Sequence, residues 1–234
     1  MDGIPMRFNG RAWPSGSVLA AIPENDRDEF VRSGTLREFQ AGDVLVLEGD
    51  PSAHVYLLLD GFVKVTGRTE DGKTALLAIR TAGDLVGELA GVDDRPRSAT
   101  VSAAGPTVAA YFTQQGFRAF LESHPKAFLA VTTSISAKLR SATRRRIDFA
   151  GRDVATRLAR VLDELARNNG RPTTAGTAID VMVTQSELAQ MIGAAEISVN
   201  RRLAELRGLG AVVPGHGHIT ITDLTRLRNR AGLG

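Results

Sequence analysis

The chain has 234 residues, of which 43% are hydrophobic and 24% charged, and it is long enough for one large domain or two smaller ones. It contains no cysteine, which excludes disulfides, iron–sulfur clusters and thiolate metal sites and suits a cytoplasmic protein. No apolar run approaches the roughly 18 residues needed to span a bilayer, and the N-terminus has no signal-peptide pattern, so we expect no membrane-bound form.

Charge is distributed unevenly along the chain. Residues 1–137 carry 13 Lys/Arg and 17 Asp/Glu, whereas residues 138–234 carry 16 Lys/Arg and 9 Asp/Glu. The positive C-terminal part favours a polyanionic partner, although basic helices are often only solvated surfaces.

The first 35 residues predict an irregular start and then a short helix from about Gly16 to Ser33. Its apolar residues Leu19, Ile22 and Phe30 suit docking on the following domain. This segment shows no residues that indicate chemistry.

From Leu36 to about Val108, short β-type runs alternate with glycine turns. Val44–Leu47 and Val55–Leu59 each end at a Gly-Asp or Asp-Gly pair, and Ala75–Ile79 is followed by another. Strands and turns at this spacing predict an antiparallel barrel or jelly roll.

Residues Gly67–Thr74 match the phosphate-loop pattern G-x-x-x-x-G-K-[ST] of nucleoside triphosphatases letter for letter. Such a loop needs a following helix whose N-terminus points at the phosphates, but only the short apolar run Ala75–Ile79 follows. Glu70 and Asp71 would also place two negative charges in the cradle. Because Asp71-Gly72 lies between two strand-like runs, it predicts a hairpin turn instead, and we reject the triphosphatase interpretation.

The segment Val86–Val101 combines residues that suit a sugar phosphate. Gly87 lets the backbone approach a ligand, and the Glu88 carboxylate can accept hydrogen bonds from ribose hydroxyls. Arg97 offers a planar fork of donors for a phosphate, which the Ser98 hydroxyl and nearby amides can share. This combination fits a small cyclic nucleotide better than a protein or a metal ion.

The order Gly-Glu-Leu-Ala, six residues, then Arg-Ser-Ala resembles the phosphate-binding cassette of cyclic-nucleotide-binding domains. The resemblance implies a cyclic nucleotide effector, with cAMP favoured over cGMP, and no covalent cofactor. The nucleotide contacts that it implies are Gly87, Glu88, Leu89, Arg97, Ser98 and Ala99. The alternative is a β-turn and a surface loop in which Arg97 pairs with Asp93 or Asp94.

After Gln114 the apolar period changes from two to about 3.6, and Pro125 suits the start of a helix that runs to about Asp148. Its apolar stripe consists of Phe128, Val131, Ile135, Leu139 and Ala142. A long helix with a narrow stripe predicts either a parallel two-helix dimer seam or packing on its own barrel. The family resemblance favours a homodimer through residues 125–148.

In the family resembled, two polar side chains of this helix touch the base of the nucleotide. Extending the match without gaps places these positions at Ala142 and Thr143. Because the Ala142 side chain has no donor or acceptor, only Thr143 is assigned to the base.

Beyond this helix, Gly151 suits a hinge and Asp153 suits the N-cap of a helix that runs to about Arg167. Residues 168–175 then predict a loop, and residues 179–183 predict a short strand.

Residues Thr184–Glu187 form a capping-box pattern that opens a helix ending at Ile192. Gly193 stops this helix, and a second helix is predicted from about Glu196 to Arg207, followed by a hairpin over residues 211–221. Helix, tight glycine turn, helix and hairpin predict a winged helix-turn-helix. His216 and His218 in the hairpin are weak metal-ligand candidates, so no metal site is predicted.

This C-terminal half resembles the DNA-binding domain of the CRP/FNR family of transcription regulators. The resemblance implies phosphate contacts from Thr184, Gln185 and Ser198 and a base contact from Arg201. Glu196 and Ile197 stand where the family commonly has Arg and Glu, so the usual operator half-site is not expected.

The complete set of predicted DNA contacts follows the two helices: Thr184, Gln185, Ser186, Glu196, Ile197, Ser198, Asn200, Arg201 and Arg202. The alternative for the last two arginines is a solvated helix face.

The sequence thus predicts an α+β protein with a cyclic-nucleotide-binding β-barrel at residues 15–124, a dimerisation helix and hinge at 125–150, and a winged-helix DNA-binding domain at 151–234. The expected function is transcription regulation without enzyme activity, with double-stranded DNA, a second copy of the chain and RNA polymerase as partners. One rival keeps the fold but needs no nucleotide or answers another effector, as Ala142 suggests. The other is an enzyme that hydrolyses nucleotide with the Gly67–Thr74 loop.

Overall fold

The computed structural model describes residues 13–14, 16–179, 183–215 and 218–234. It divides into two compact units, of which the first extends to Ala137 and the second begins at Lys138. The predicted three-part division at residues 15–124, 125–150 and 151–234 stays a prediction.

The N-terminal unit is built on two four-stranded sheets with the orders β1-β8-β3-β6 and β2-β7-β4-β5. Neighbouring strands pair antiparallel, as predicted for a barrel or jelly roll. The strands are β1 Thr35–Phe39, β2 Val44–Val46, β3 Val55–Asp60, β4 Phe62–Arg68, β5 Thr74–Thr81, β6 Leu85–Val86, β7 Thr100–Ala103 and β8 Thr107–Phe112.

The helices of this unit lie before β1, between β6 and β7, and after β8 along the chain. They are α1 Val18–Ala21, α2 Glu24–Ser33, α3 Glu88–Asp93, α4 Gln114–Ser123 and the first turns of α5 Pro125–Gly151. The single helix predicted over residues 16–33 is therefore two helices, because the chain is extended at Ile22 and at Pro23, the N-cap of α2. The apolar residues predicted to dock, Leu19, Ile22 and Phe30, are fully buried.

Two hydrophobic clusters hold the unit together. One includes Leu45, Tyr56, Leu58 and Val63 from the strands. The other joins the helices to sheet residues, and in it Phe30 stacks on Phe120 at 4.4 Å between ring centroids.

The segment Gly67–Thr74 forms the hairpin between β4 and β5. Gly72 has φ +75°, which favours glycine, and the Thr69 N–H donates to the Lys73 carbonyl at 2.9 Å. A strand follows this loop instead of a helix, which confirms the hairpin prediction.

Helix α5 is longer than predicted, and the residues of its predicted apolar stripe differ in burial. Val131 is buried, and Ile135 packs against the N-terminal core. Phe128 and Leu139 are instead 55% and 67% exposed. Part of the stripe therefore packs on its own unit, the alternative that the sequence left open, and the dimer seam stays a prediction.

The C-terminal unit contains α6 Val154–Asn169, α7 Gln185–Ile192, α8 Glu196–Gly208 and α9 Leu224–Ala231, with a sheet in the order β11-β12-β10-β9. Its strands are β9 Gly170–Thr173, β10 Gly176–Ile179, β11 Val212–Pro214 and β12 Ile219–Ile221. The Asp153 side chain caps α6 by accepting from the Thr156 N–H at 2.6 Å, as predicted.

Two predictions in this unit need correction. Residues 170–173, predicted as loop, form the edge strand β9, where a proline is tolerated. The strand predicted at 179–183 is β10, which ends at Ile179, and residues 180–182 lie outside the described residues.

Candidate functional site

The cassette begins where β6 passes through Gly87 into α3. Gly87 is the N-cap of α3 and has φ +79°. A Cβ at this position would lie 2.7 Å from Nη1 of Arg97 and 3.0 Å from the carbonyl oxygen of His54. Both the backbone conformation and the close approach of Arg97 therefore require glycine.

The guanidinium of Arg97 lies inside the unit, with only 4% of the residue exposed. Its Nη1 donates to the Gly87 carbonyl at 2.8 Å, its Nη2 donates to the His54 carbonyl at 2.6 Å, and its Nε lies 3.4 Å from the Ser52 hydroxyl. Burial lowers the pKa of Arg97, and Asp50 partly opposes that shift. Burial thus disfavours the cation, and its hydrogen bonds are to neutral oxygens.

The alternative that Arg97 lies in a surface loop and pairs with Asp93 or Asp94 does not agree with the structure. Asp94 forms an ion pair with Arg118 at 2.9 Å and accepts from Gln114. Among the described residues, no carboxylate forms an ion pair with Arg97.

The predicted nucleotide-contacting residues divide into buried and exposed sets. Glu88, the first residue of α3, is 5% exposed, and its charge acts electrostatically on Arg97. Ala99 is half-buried, whereas Ser98 and Leu89 are exposed. The structure therefore brings Gly87, Glu88 and Arg97 together inside the unit.

An aromatic group beside Arg97 was not predicted. The His54 ring lies 5.1 Å from the Tyr56 ring and 5.4 Å from the Tyr111 ring, measured between centroids. Burial lowers the pKa of His54, although its ring nitrogen lies 3.4 Å from the Leu45 carbonyl. The available signal was the alternation of His54, just before β3, and Tyr56 within it, but their partner Tyr111 is distant in sequence.

Thr143, assigned to the base of the nucleotide, lies on α5 and is exposed. It belongs to the C-terminal unit, whereas Gly87, Glu88 and Arg97 belong to the N-terminal unit.

The helix-turn-helix consists of α7, a turn at Gly193 and α8. The capping box predicted at the start of α7 is present: the Thr184 hydroxyl accepts from the Glu187 N–H at 3.1 Å, and Glu187 accepts from the Thr184 N–H at 2.9 Å. Gly193 ends α7 with φ +57°. Val199 and Leu203 are buried, so they define the face of α8 that packs on the rest of the unit.

The predicted DNA contacts lie mostly on the outer face. Ile197 is 79% exposed, and Glu196, Asn200, Arg201, Gln185 and Ser186 are also exposed, while Ser198 is half-buried. The Thr184 hydroxyl is already used in the cap.

The two adjacent arginines of α8 differ in their partners. Arg202 bonds Glu205 through one nitrogen at 2.5 and 2.7 Å. Within the described part of the chain, the exposed Arg201 side chain forms no hydrogen bond or ion pair.

Metal binding has no support in the described residues, where no group of three or more His, Asp or Glu side chains could hold an ion. Of the two weak ligand candidates, His216 lies outside the described residues.

Family models match both units. Residues 36–124 match the cyclic nucleotide-binding domain, and residues 156–230 match the Crp-like helix-turn-helix domain. The chain belongs to the CRP/FNR family. A CRP/FNR protein of this kind is a DNA-binding transcription regulator with a cyclic-nucleotide-binding domain, not an enzyme.

Individual relatives agree with this assignment. The CRP-like cAMP-activated global transcriptional regulator of Mycobacterium tuberculosis is 28% identical over 83% of this chain and 87% of its own length. The fold is similar to a CooA mutant from Carboxydothermus hydrogenoformans, with a TM-score of 0.71, 19% identity and coverage of 87% of this chain and 90% of that one.

A third relative is described by a different effector. The c-di-GMP responsive global regulator CLP of Xanthomonas campestris has a TM-score of 0.70 and 19% identity over 86% of this CRP/FNR chain and 100% of its own.

No described helix of the present protein is long and apolar enough to cross a membrane.

Proposed function

We propose that this CRP/FNR regulator is controlled by a cyclic nucleotide, with cAMP as the favoured effector and cGMP as the alternative. The observation that carries the proposal is the state of Arg97. Its cationic guanidinium is 4% exposed and meets carbonyl oxygens instead of a carboxylate. A buried cation that no carboxylate contacts directly is costly, so an anionic ligand at this position would supply a direct ion-pair partner.

In the cassette, the positive and the negative side chain would bind different parts of the nucleotide. Arg97, with Ser98 and Ala99 beside it in sequence, would hold the phosphate, because a guanidinium fork matches phosphate oxygens. Glu88 would accept from the ribose hydroxyls, while Gly87 and Leu89 would shape the turn around them. Thr143 would supply the polar contact to the base.

Exposed apolar residues of α5 support a homodimer through residues 125–148. Phe128 and Leu129 of the N-terminal unit are 55% and 65% exposed, and Leu139 and Ile147 of the C-terminal unit are 67% and 65% exposed. Large apolar side chains at this exposure are typical of an interaction surface. A second copy of α5 would cover them and place two reading helices on half-sites about one DNA turn apart.

For DNA, the proposed contacts are the exposed outer residues of α7 and α8. Arg201 and Asn200 would read base edges, Ile197 would meet a thymine methyl, and Glu196 and Arg202 would flank them. Thr184, Gln185, Ser186 and Ser198 would approach the phosphates at the helix N-termini. RNA polymerase stays a predicted partner.

Control of DNA binding requires only that the effector favour one arrangement of the dimer. The effector can shift that balance by no more than its differential affinity for the two states. Bonds of Arg97 to Gly87 and His54 would have to be shared with the phosphate, so occupancy is expected to alter the start of α3.

The test is calorimetric titration of the full-length chain with cAMP and with cGMP. Binding of one nucleotide is expected, with at least a tenfold loss in Arg97→Ala. The control is Arg95→Ala, which removes an exposed arginine from the same loop and should bind normally. Absence of binding at millimolar nucleotide would refute nucleotide control, and an equal loss in Arg95→Ala would refute the role given to Arg97.

A second candidate is the same regulator with another effector or none. Ala142 favours it, because one of the two positions expected to touch the base has no polar atom. In that case neither cAMP nor cGMP would change the affinity for DNA, whereas the unliganded chain would still bind it.

A further inference from the structure

The end of α5 lies against the turn of the helix-turn-helix. A Cβ placed on Gly193 would lie 3.1 Å from Cε1 of Phe149 and 3.8 Å from Nη1 of Arg157. The Arg157 guanidinium in turn lies over the Phe149 ring, 5.5 Å from its centroid. The Phe149 ring is therefore seated on the turn between α7 and α8 and held there by Arg157.

This turn belongs to the helix-turn-helix, the DNA-binding motif of the family. It immediately precedes α8, and the N-terminal residues of a recognition helix are those that reach base edges. Phe149 consequently places the last turn of α5 beside the DNA-facing end of α8.

Two ion pairs fix that placement. Arg145 of α5 bonds both carboxylate oxygens of Glu164 of α6 at 3.0 Å. Asp148 of α5, which is 6% exposed, pairs with Arg160 of α6 at 2.5 Å. Because partly buried, hydrogen-bonded pairs hold a defined geometry, the end of α5 is held rigidly within the C-terminal unit.

Two further arginines flank Phe149 and take no part in these ion pairs. Arg146 lies three residues before Phe149 and Arg152 three residues after it, so each is a neighbour of Phe149 on the helix surface, one on either side of the ring. The helical turn continues to Arg152, whose N–H donates to the Asp148 carbonyl at 3.0 Å. Both side chains are exposed, and neither forms a hydrogen bond or ion pair with any described residue.

We propose that Arg146 and Arg152 form a second DNA contact, binding phosphates of the duplex beside the site that α8 reads. Their positive charge complements the phosphate backbone, and the surface is continuous with the helix-turn-helix interface. Such contacts add affinity and fix register without reading sequence. The competing explanation is that two solvated cations only complement the dipole at the end of α5.

The two explanations differ in the salt dependence of DNA binding. Each phosphate contact contributes about 0.9 to the slope of log affinity against log salt concentration. Loss of two contacts should therefore reduce the slope by about 1.8 for each protomer bound to the duplex, so the affinity defect of the variant should be at least roughly tenfold larger at 50 mM than at 200 mM salt.

The experiment is fluorescence anisotropy with the full-length chain and a labelled 40-bp duplex of arbitrary sequence, at salt concentrations across that range. An arbitrary duplex makes the readout independent of the effector and the operator, so a failure of nucleotide control would not affect it. The variants are R146A/R152A, the charge-preserving R146K/R152K, and R32A/R68A, which removes two exposed arginines from the N-terminal unit. Thermal unfolding verifies that each variant is folded, and the single variants R146A and R152A replace the pair if it is not.

The proposal expects a reduced slope in R146A/R152A, near-normal binding in R146K/R152K and an unchanged slope in R32A/R68A. An unchanged slope in R146A/R152A overturns it. An equal reduction in R32A/R68A also overturns it, because net charge and not position would then explain the effect.

Discussion

The Gly87 carbonyl accepts two hydrogen bonds, one from Nη1 of Arg97 at 2.8 Å and one from the Gly91 N–H of α3 at 3.2 Å. The first bond comes from the residue expected to hold a phosphate, and the second closes the first turn of α3. Any ligand that draws Arg97 away from this carbonyl therefore acts directly on the start of α3.

We expect Gly87→Ala to lower both stability and nucleotide affinity. The left-handed conformation costs a non-glycine residue roughly 1–2 kcal/mol, and the new Cβ would lie 2.7 Å from Nη1 of Arg97. Displacement of that guanidinium should weaken nucleotide binding at least tenfold. Calorimetric titration measures the affinity, and urea unfolding followed through the only tryptophan, the buried Trp13, measures the stability of its unit.

Gly72→Ala is the matched control for this prediction. Gly72 has φ +75°, but a Cβ there would have no atom within 4 Å. The control should show a similar conformational cost and normal nucleotide binding. If Gly72→Ala weakened binding as much as Gly87→Ala, the contact with Arg97 would not be the cause.

Arg201 and Arg202 are adjacent in sequence and should differ in their effect on DNA binding. Arg201 is exposed and has no ion-pair partner among the described residues, so Arg201→Ala should cost about 1–3 kcal/mol on a specific site and relax preference at one base pair. Arg202 is engaged with Glu205 at 2.5 Å, so Arg202→Ala should have a smaller effect on DNA affinity than Arg201→Ala.

Affinity measurements on an operator selected from random DNA with the unmodified chain test this difference, and a set of single-base changes locates the position read. A larger loss in Arg202→Ala than in Arg201→Ala would contradict the assignment of base reading to Arg201.

His54 makes stability depend on pH in a defined direction. Burial lowers its pKa in the folded chain below the ordinary 6.5. The unfolded chain therefore binds more protons as the pH falls through 6.5, and the free energy of unfolding decreases until the folded pKa is reached. His54→Phe keeps an aromatic ring beside Tyr56 and Tyr111 but cannot be protonated, so its loss of stability between about pH 7 and pH 5 should be smaller. Urea unfolding of both proteins across this range, monitored at Trp13, decides the point; parallel pH profiles would show that His54 does not contribute.

Residues close together in sequence were sufficient to predict the capping and turn motifs. The capping box at Thr184 and Glu187, the hairpin at Asp71-Gly72 and the N-cap at Asp153 each depend on residues within a few positions of one another. Local hydrogen bonding decides these structures, so their sequence patterns are informative.

Long-range partners were not predictable in the same way. The second acceptor of Arg97 is the carbonyl of His54, 43 positions away, and a backbone carbonyl leaves no trace in the residue type. Helix α9 was not predicted because it buries few side chains, and Arg228 and Arg230 bind Asp163 and Asp153 in distant parts of the unit. The apolar stripe of α5 could not be divided into residues that pack on their own unit and residues that stay exposed, because an apolar residue does not reveal which partner covers it.

The exposed face of α5 gives the last prediction, the oligomeric state. Leu139 is 67% exposed on the helix proposed to form the dimer, so Leu139→Asp would place a charge in a seam that excludes water. We expect the unmodified chain to sediment as a dimer and Leu139→Asp to sediment as a monomer with reduced affinity for DNA carrying two half-sites. Leu77→Asp, which changes a 44% exposed leucine on β5, is the matched control and should remain a dimer. Sedimentation velocity measures both; a dimeric Leu139→Asp would place the dimer contact elsewhere, and monomers of both variants would indicate a general effect of the added charge.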